Sequence, residues 1–189
     1  MYDPTQLPAD LPRPVDDGAM NHLPGTRLPG VALPSTAGGT VSLADLPGRT
    51  VLYGYPRTGE PDKDPLTPDW DLIPGARGCT PQSCSFRDHF AELKGLGVRH
   101  VFGISTQSTA YQQEMATRLH LPFAVLSDEE LAFTRAARLP SFTVVAGHTL
   151  LKRFALVTDE GRVSQVFYPV FPPDRSAQDV IDWLRAQRV

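Results

Sequence analysis

The sequence predicts an α/β fold, a central mixed β-sheet flanked by helices, with an N-terminal hairpin. Three observations carry this expectation. Strand-like and helix-like segments alternate through the middle of the chain. A hairpin pattern follows near the C-terminal end. A helix with one apolar face closes the chain. Alternation of this kind places helices against a sheet.

Taken in order, residues 1–28 read as a proline-rich arm, with Leu7-Pro8, Leu11-Pro12 and Leu23-Pro24, and Leu28-Pro29 at its end. Proline removes amide donors and biases its predecessor to extended backbone, so the arm is irregular and packs through its leucines. The domain proper is expected over residues 29–189. Gly30 to Pro34 and Thr40 to Leu43, around a Ser-Thr-Ala-Gly-Gly turn, form the hairpin. The β-branched and aromatic run Thr50 to Tyr55 is a buried strand. Residues 56–78 are mostly proline, glycine and acidic side chains, and a structureless loop of that length inside a compact domain is unusual and often functional.

A helix is expected from Pro81 to Lys94, with Thr80 as N-cap, Pro81 at its first position and Phe86, Phe90 and Leu93 inward. Val101 to Ser105 is a strand and Thr109 to Leu119 a helix. Phe123 to Leu126 is a strand, and Ser127-Asp128 caps a helix holding Leu131 and Phe133. Phe142 to Val145, Lys152 to Thr158 and Val163 to Tyr168 are strands, the last two joined by the Glu160-Gly161 turn. Ser176 to Gln187 is the closing helix, with Val180, Ile181 and Leu184 inward. A βαβ unit followed by an antiparallel hairpin and a helix is the thioredoxin-like plan.

The chain has 189 residues, 41% of them hydrophobic, and a net charge of −3. That length suffices for one domain with a real core. No basic stripe points to nucleic acid or an anionic membrane. No apolar stretch approaches the roughly 20 residues of a membrane span, and the start of the chain lacks the pattern of a secretory signal. A cytoplasmic location is therefore expected.

The only cysteines are Cys79 and Cys84, in Gly78-Cys79-Thr80-Pro81-Gln82-Ser83-Cys84-Ser85-Phe86-Arg87-Asp88. Close pairs in a reducing compartment are more often catalytic, redox-sensing or metal-binding than structural. Cys79 lies at the expected helix start, where a thiol is easier to deprotonate and unpaired amides face an oxygen substrate. On an intact helix, positions five apart stand roughly 8–9 Å apart at Cα. A disulfide tolerates no more than about 7 Å. If the two cysteines bond, the first helical turn must unwind. Oxidation of Cys79 in the folded state and capture by Cys84 in the unwound state would then alternate. Two other readings stand beside this one: an inert pair of small apolar side chains, and a zinc site using His89 as a third ligand.

The residues resemble the peroxiredoxin family, in its Q-type (bacterioferritin-comigratory) subfamily of atypical two-cysteine enzymes. The match rests on Ser42-Leu43-Ala44-Asp45-Leu46, Tyr55-Pro56, the cysteine segment, Gly103-Ile104-Ser105, Leu121-Pro122-Phe123 with Leu126-Ser127-Asp128, and Val166-Phe167-Tyr168-Pro169-Val170. The resemblance implies a thioredoxin-like fold and reduction of hydrogen peroxide and organic hydroperoxides. It makes Cys79 the peroxidatic and Cys84 the resolving cysteine of an intrachain disulfide, recycled by thioredoxin or a similar dithiol protein. It implies no metal, flavin or haem. Its active-site arginine falls on Arg153, with Lys152 and Arg162 as competing cations.

The family's proline and threonine, seven and three residues before the peroxidatic cysteine, are here Leu72 and Ala76. Against the family pattern, residues 59–77 are an inserted loop before the active site, and Pro56 and Thr58, on its far side, are expected to take their places, with Thr80 as the competing hydroxyl and Ile73 to Ala76 as an alternative pocket wall. Tyr55, Phe86 and Trp70 line the pocket mouth or are plain packing. His89, His100, His120 and His148 have no triad partner at readable spacing. A redox sensor or a disulfide-exchange protein on the same fold is the competing function. A single-chain cysteine pair needs no second subunit, so a monomer is expected.

Overall fold

The structure, a computed structural model, describes residues 3–144 and 147–187. Its centre is a five-stranded mixed sheet in the order β5-β4-β3-β8-β9. The strands are β3 (Arg49–Gly54), β4 (Val98–Ser105), β5 (Val125–Ser127), β8 (Phe154–Asp159) and β9 (Arg162–Phe167). β3, β4 and β5 run parallel, β8 adds antiparallel to β3, and β9 adds antiparallel to β8. The hairpin β1 (Ala32–Pro34) and β2 (Thr40–Ser42) forms a small separate sheet, as do β6 (Ser141–Thr143) and β7 (Thr149–Leu151). The thioredoxin-like, mixed-sheet expectation and its N-terminal hairpin hold.

Alternation along the central strands sorts side chains onto two faces. Val51, Tyr53, Ala155 and Val157 point to one, where α1 (Cys79–Asp88) contributes Phe86 and α3 (Thr109–Arg118) contributes Met115. On the same face α5 (Ser176–Ala186) packs Val180, Ile181 and Leu184. Leu52, Phe154 and Leu156 point to the other face, against Leu33 and against Phe133 of α4 (Ala132–Ala137). Met20, Leu23 and Leu28 of the arm join this second core. β3 and β8 are thus covered on both faces, which is why they read as continuous apolar runs.

Three expected elements change. The helix Pro81–Lys94 is two helices, α1 and α2 (Phe90–Gly95), because His89 (φ −98°, ψ 8°) leaves helical geometry between them. The strand Lys152–Thr158 starts only at Phe154; Lys152 and Arg153 form the corner between β7 and β8. The strand Phe123–Leu126 is β5, which starts two residues later and ends one later. The Asp128 carboxylate bonds the start of the following helix, accepting from the amides of Phe133 and Thr134 at 2.9 and 2.7 Å, but the N-cap position is Leu131, which lies outside the helix. Val145, the end of an expected strand, lies outside the described residues. No helix among the described residues is long and apolar enough to cross a membrane.

Candidate active site

Cys79 opens α1, and its cap is Gly78, not Thr80. Gly78 has φ 104°, a backbone region that residues bearing a Cβ resist. Pro81 consequently falls third in the helix, still within the first turn, where its missing N–H leaves no bond unmade. Cys79 is buried and Cys84 half-buried, and both are free thiols.

Arg153, from the β7–β8 corner, reaches the sulfur of Cys79 with Nη2 at 3.3 Å. The same nitrogen donates to the carbonyls of Gly75, Ala76 and Arg77 at 3.1, 3.2 and 3.0 Å. Three carbonyl dipoles therefore hold a guanidinium that is only 3% exposed. Its Nη1 donates to Gln82 Oε1 at 2.5 Å, and Gln82 Nε2 donates in turn to Ser176 Oγ at the start of α5 at 3.2 Å. The Arg153 Nε is buried with no partner among the described residues. The Cys79 thiol also lies 3.5 Å from the Ala76 carbonyl. Lys152 and Arg162, the competing cations, are engaged elsewhere, on Asp17 and on the Gly25 carbonyl.

Thr58 and Thr80 are both buried, and neither hydroxyl has a hydrogen-bond partner among the described residues. Thr58 is fixed through its backbone, donating to Gln107 Oε1 at 3.3 Å and accepting from the Tyr111 hydroxyl at 2.8 Å. Pro56 is buried just beyond β3. The inserted loop is not structureless. Its 3-10 turn Trp70–Leu72 places Trp70 in a small core with Ala76, Val144 and Leu150. Tyr55 and Phe86 are fully buried, in the same core as Cys79. Phe86 stacks on Tyr53 with ring centres 4.5 Å apart, and the Tyr53 hydroxyl donates to Ser83 at 3.1 Å. Burial pushes the Tyr53 and Tyr55 phenols well above their ordinary range.

Around Cys84, burial is the main cause that pushes the thiol up, partly opposed by the Arg87 charge. The His89 ring bonds back to the Ser85 carbonyl at 2.9 Å. Among the described residues no three His, Cys, Asp or Glu side chains are grouped to hold a metal ion. Sequence reasoning missed Gln82, Ser176 and the carbonyls of residues 75–77. Gln82 carried a signal, since a residue three beyond Cys79 shares its face of the helix. The carbonyls carried none, because every residue has one.

This chemistry can be set beside known proteins. The redoxin family model matches residues 23–181. Peroxiredoxin Bcp of Escherichia coli K12 is 31% identical over 165 residues, covering 85% of this chain and 94% of that protein. Chloroplastic peroxiredoxin Q of Triticum aestivum is 32% identical over 153 residues, 80% of this chain and 61% of that one. A Coxiella burnetii bcp protein is 36% identical over 107 residues, 56% of this chain and 60% of that protein. Against these last two, the chain spans about three fifths of the relative's length. Among solved structures, peroxidoxin BcpB of Mycobacterium tuberculosis superposes with a TM-score of 0.69 at 25% identity, over 89% of this chain and all of that one. Peroxiredoxin Q of Xanthomonas campestris, at 19% identity and a TM-score of 0.65, shares the fold.

Proposed function

The chain belongs to the redoxin family, in its Q-type (Bcp) peroxiredoxin branch, and from that premise we propose that it is a thiol peroxidase acting on hydrogen peroxide and organic hydroperoxides. The observation that carries the reading is the Arg153 guanidinium against Cys79 Sγ at the first residue of a helix. A planar cationic fork can hold sulfur and a peroxide oxygen together.

The Cys79 thiolate attacks one peroxide oxygen and the O–O bond breaks. The leaving oxygen takes a proton as water or alcohol, and Cys79 becomes a sulfenic acid. Arg153 and the free amides at the start of α1 stabilise the charge that develops on the leaving oxygen. Pro56 shields the sulfur, and the buried Thr58 hydroxyl, without a partner among the described residues, accepts from or donates to the peroxide. Thr80 is the competing group, its hydroxyl likewise without a partner among the described residues.

With α1 intact, Cys79 and Cys84 stand too far apart to bond. The first turn opens, the Cys84 thiolate attacks the sulfenic sulfur, and the S–O bond breaks as the intrachain disulfide forms, the leaving hydroxide taking a proton as water. Thioredoxin or a similar dithiol protein then restores both thiols by two thiol–disulfide exchanges. The proposal includes an arm over residues 1–28, a peroxiredoxin domain over 29–189 with the insertion at 59–77, a monomer and a cytoplasmic location. A reducing compartment is what keeps such a pair as thiols between turnovers.

Continuous assay with a thioredoxin system tests this reading. Peroxide consumption that persists for many turnovers, and stops in Cys79→Ser, supports a peroxidase. Oxidation that stops after one equivalent identifies a redox sensor or disulfide relay instead.

A further inference from the structure

The inserted loop, the N-terminal arm and the first turn of α1 meet at Arg77. This side chain is 7% exposed although charged, so it needs partners. Its Nη1 donates to the Asp71 carboxylate at 3.1 Å. Its Nε and Nη2 donate to the Gln6 carbonyl at 3.3 and 3.1 Å, and Nη2 donates also to the Asp3 carbonyl. The arm thus crosses the loop two residues before Cys79.

The next residue closes the junction. Leu7 and Pro173 sit so near Gly78 that a Cβ there would come within 2.9 Å of Leu7 Cδ2 and 2.3 Å of Pro173 Cγ. The Gly78 carbonyl accepts from the Gln82 amide at 3.0 Å, the bond that closes the first turn of α1. Further along, Pro14 packs over Gly75, and Asp17 holds both Lys152 and the Tyr168 hydroxyl, at 2.6 and 2.8 Å. The arm is therefore anchored on both sides of Arg153. Opening the first turn of α1 must move Gly78, and moving Gly78 disturbs Leu7 and the Arg77 fork together.

We propose that Arg77 is a positioning residue that, with Leu7, straps the arm across the hinge of α1 and sets how fast its first turn opens. Resting on the peroxidase reading above, the strap controls the partition of oxidised Cys79. While the turn is closed, a second peroxide converts the sulfenic acid to a sulfinic acid. Once it opens, Cys84 supplies an electron pair to the Cys79 sulfur and the S–S bond forms as the S–O bond breaks. Hydroxide leaves and takes a proton as water; the oxidation was already done by the first peroxide.

The test follows two readouts in full-length Arg77→Ala and Leu7→Asp. One is the rate of disulfide closure after a single equivalent of hydrogen peroxide, with the sulfinic acid formed at excess peroxide, both by intact mass. The other is hydrogen exchange of the Gln82 amide in the reduced protein. The control, Leu33→Ala, empties a buried site on the opposite face of the sheet. Closure and Gln82 exchange should rise roughly tenfold in both arm variants, the scale of a lost charged hydrogen bond. Sulfinic acid should fall, Arg77→Lys should lie between, and Leu33→Ala should lower only the melting temperature. Rates within about twofold of wild type in both arm variants, or an equal rise in Leu33→Ala, overturn the strap. If wild type forms no sulfenic acid but the arm variants still speed Gln82 exchange, the strap stands and the peroxidase reading fails.

Discussion

Cys79 and Cys84 lie about one and a half turns apart on one helix, yet their surroundings are opposite. Cys79 is 3% exposed and faces a guanidinium that three backbone carbonyls and Gln82 hold still. Cys84 is half-buried among apolar neighbours, and burial pushes its thiol above its ordinary range. In the proposed cycle the first thiol reacts where it stands, and the second acts only once the helix opens. The difference comes from position and packing together: Cys79 stands at the helix start against Arg153 from a distant corner, and Cys84, five residues on, packs against the apolar core.

The sharpest way to break this contrast is to remove the grip on Cys79. Arg153→Met keeps bulk and loses charge and fork. It should lower kcat/KM for peroxide by about 10²–10³-fold, the range for losing one oriented donor, in a stopped-flow peroxide assay. Gln82→Leu leaves Arg153 present but unbraced on its Nη1 side. It should cost about tenfold in the same assay, the scale of one charge-assisted hydrogen bond, and a loss confined to kcat/KM with thermal stability unchanged would separate positioning from folding.

The quiet side of the comparison is read by pH. In Cys79→Ser, the remaining thiol has its folded-state value raised above its ordinary 9.0, with burial the main cause. Its alkylation midpoint should lie above 9.0 in the folded protein and fall when urea unfolds it. The corresponding stability is present below 9.0 and is lost as pH rises past it. Equal midpoints in the two states would place Cys84 in an environment no different from water.

The smallest effect belongs to the arm's anchor. Hydrogen bonds from Lys152 and then Tyr168 lower Asp17 from 3.8 to about 2. The anchor contributes above pH 3.8 and is lost as pH falls through about 2. Asp17→Asn should flatten that part of an acid-unfolding curve by a small amount, because the pair is exposed to solvent.

Much of the fold was legible because it rests on local pattern. The run Thr50 to Tyr55 announced β3, and Val180, Ile181 and Leu184 announced the inner face of α5. The break at His89 was not legible, since Phe86, Phe90 and Leu93 keep helical spacing across it. Nor was the corner at Lys152-Arg153, which sits inside an apolar run. In the site, the cysteine spacing pointed to Cys79 and Cys84, and the resemblance pointed to Arg153. The arm's return onto Arg77 left no trace in the sequence, because its acceptors are the backbone carbonyls of Asp3 and Gln6.

The contrast between the two cysteines is tested most directly by mixing reduced protein with a single equivalent of hydrogen peroxide. Intact mass is followed in wild type, Cys79→Ser and Cys84→Ser. The account predicts rapid loss of a pair of hydrogens in wild type, no fast reaction in Cys79→Ser, and a trapped sulfenic or overoxidised Cys79 in Cys84→Ser. A fast reaction that survives in Cys79→Ser and disappears in Cys84→Ser would reverse the two roles. A wild type no faster than a free thiol would contradict the account altogether.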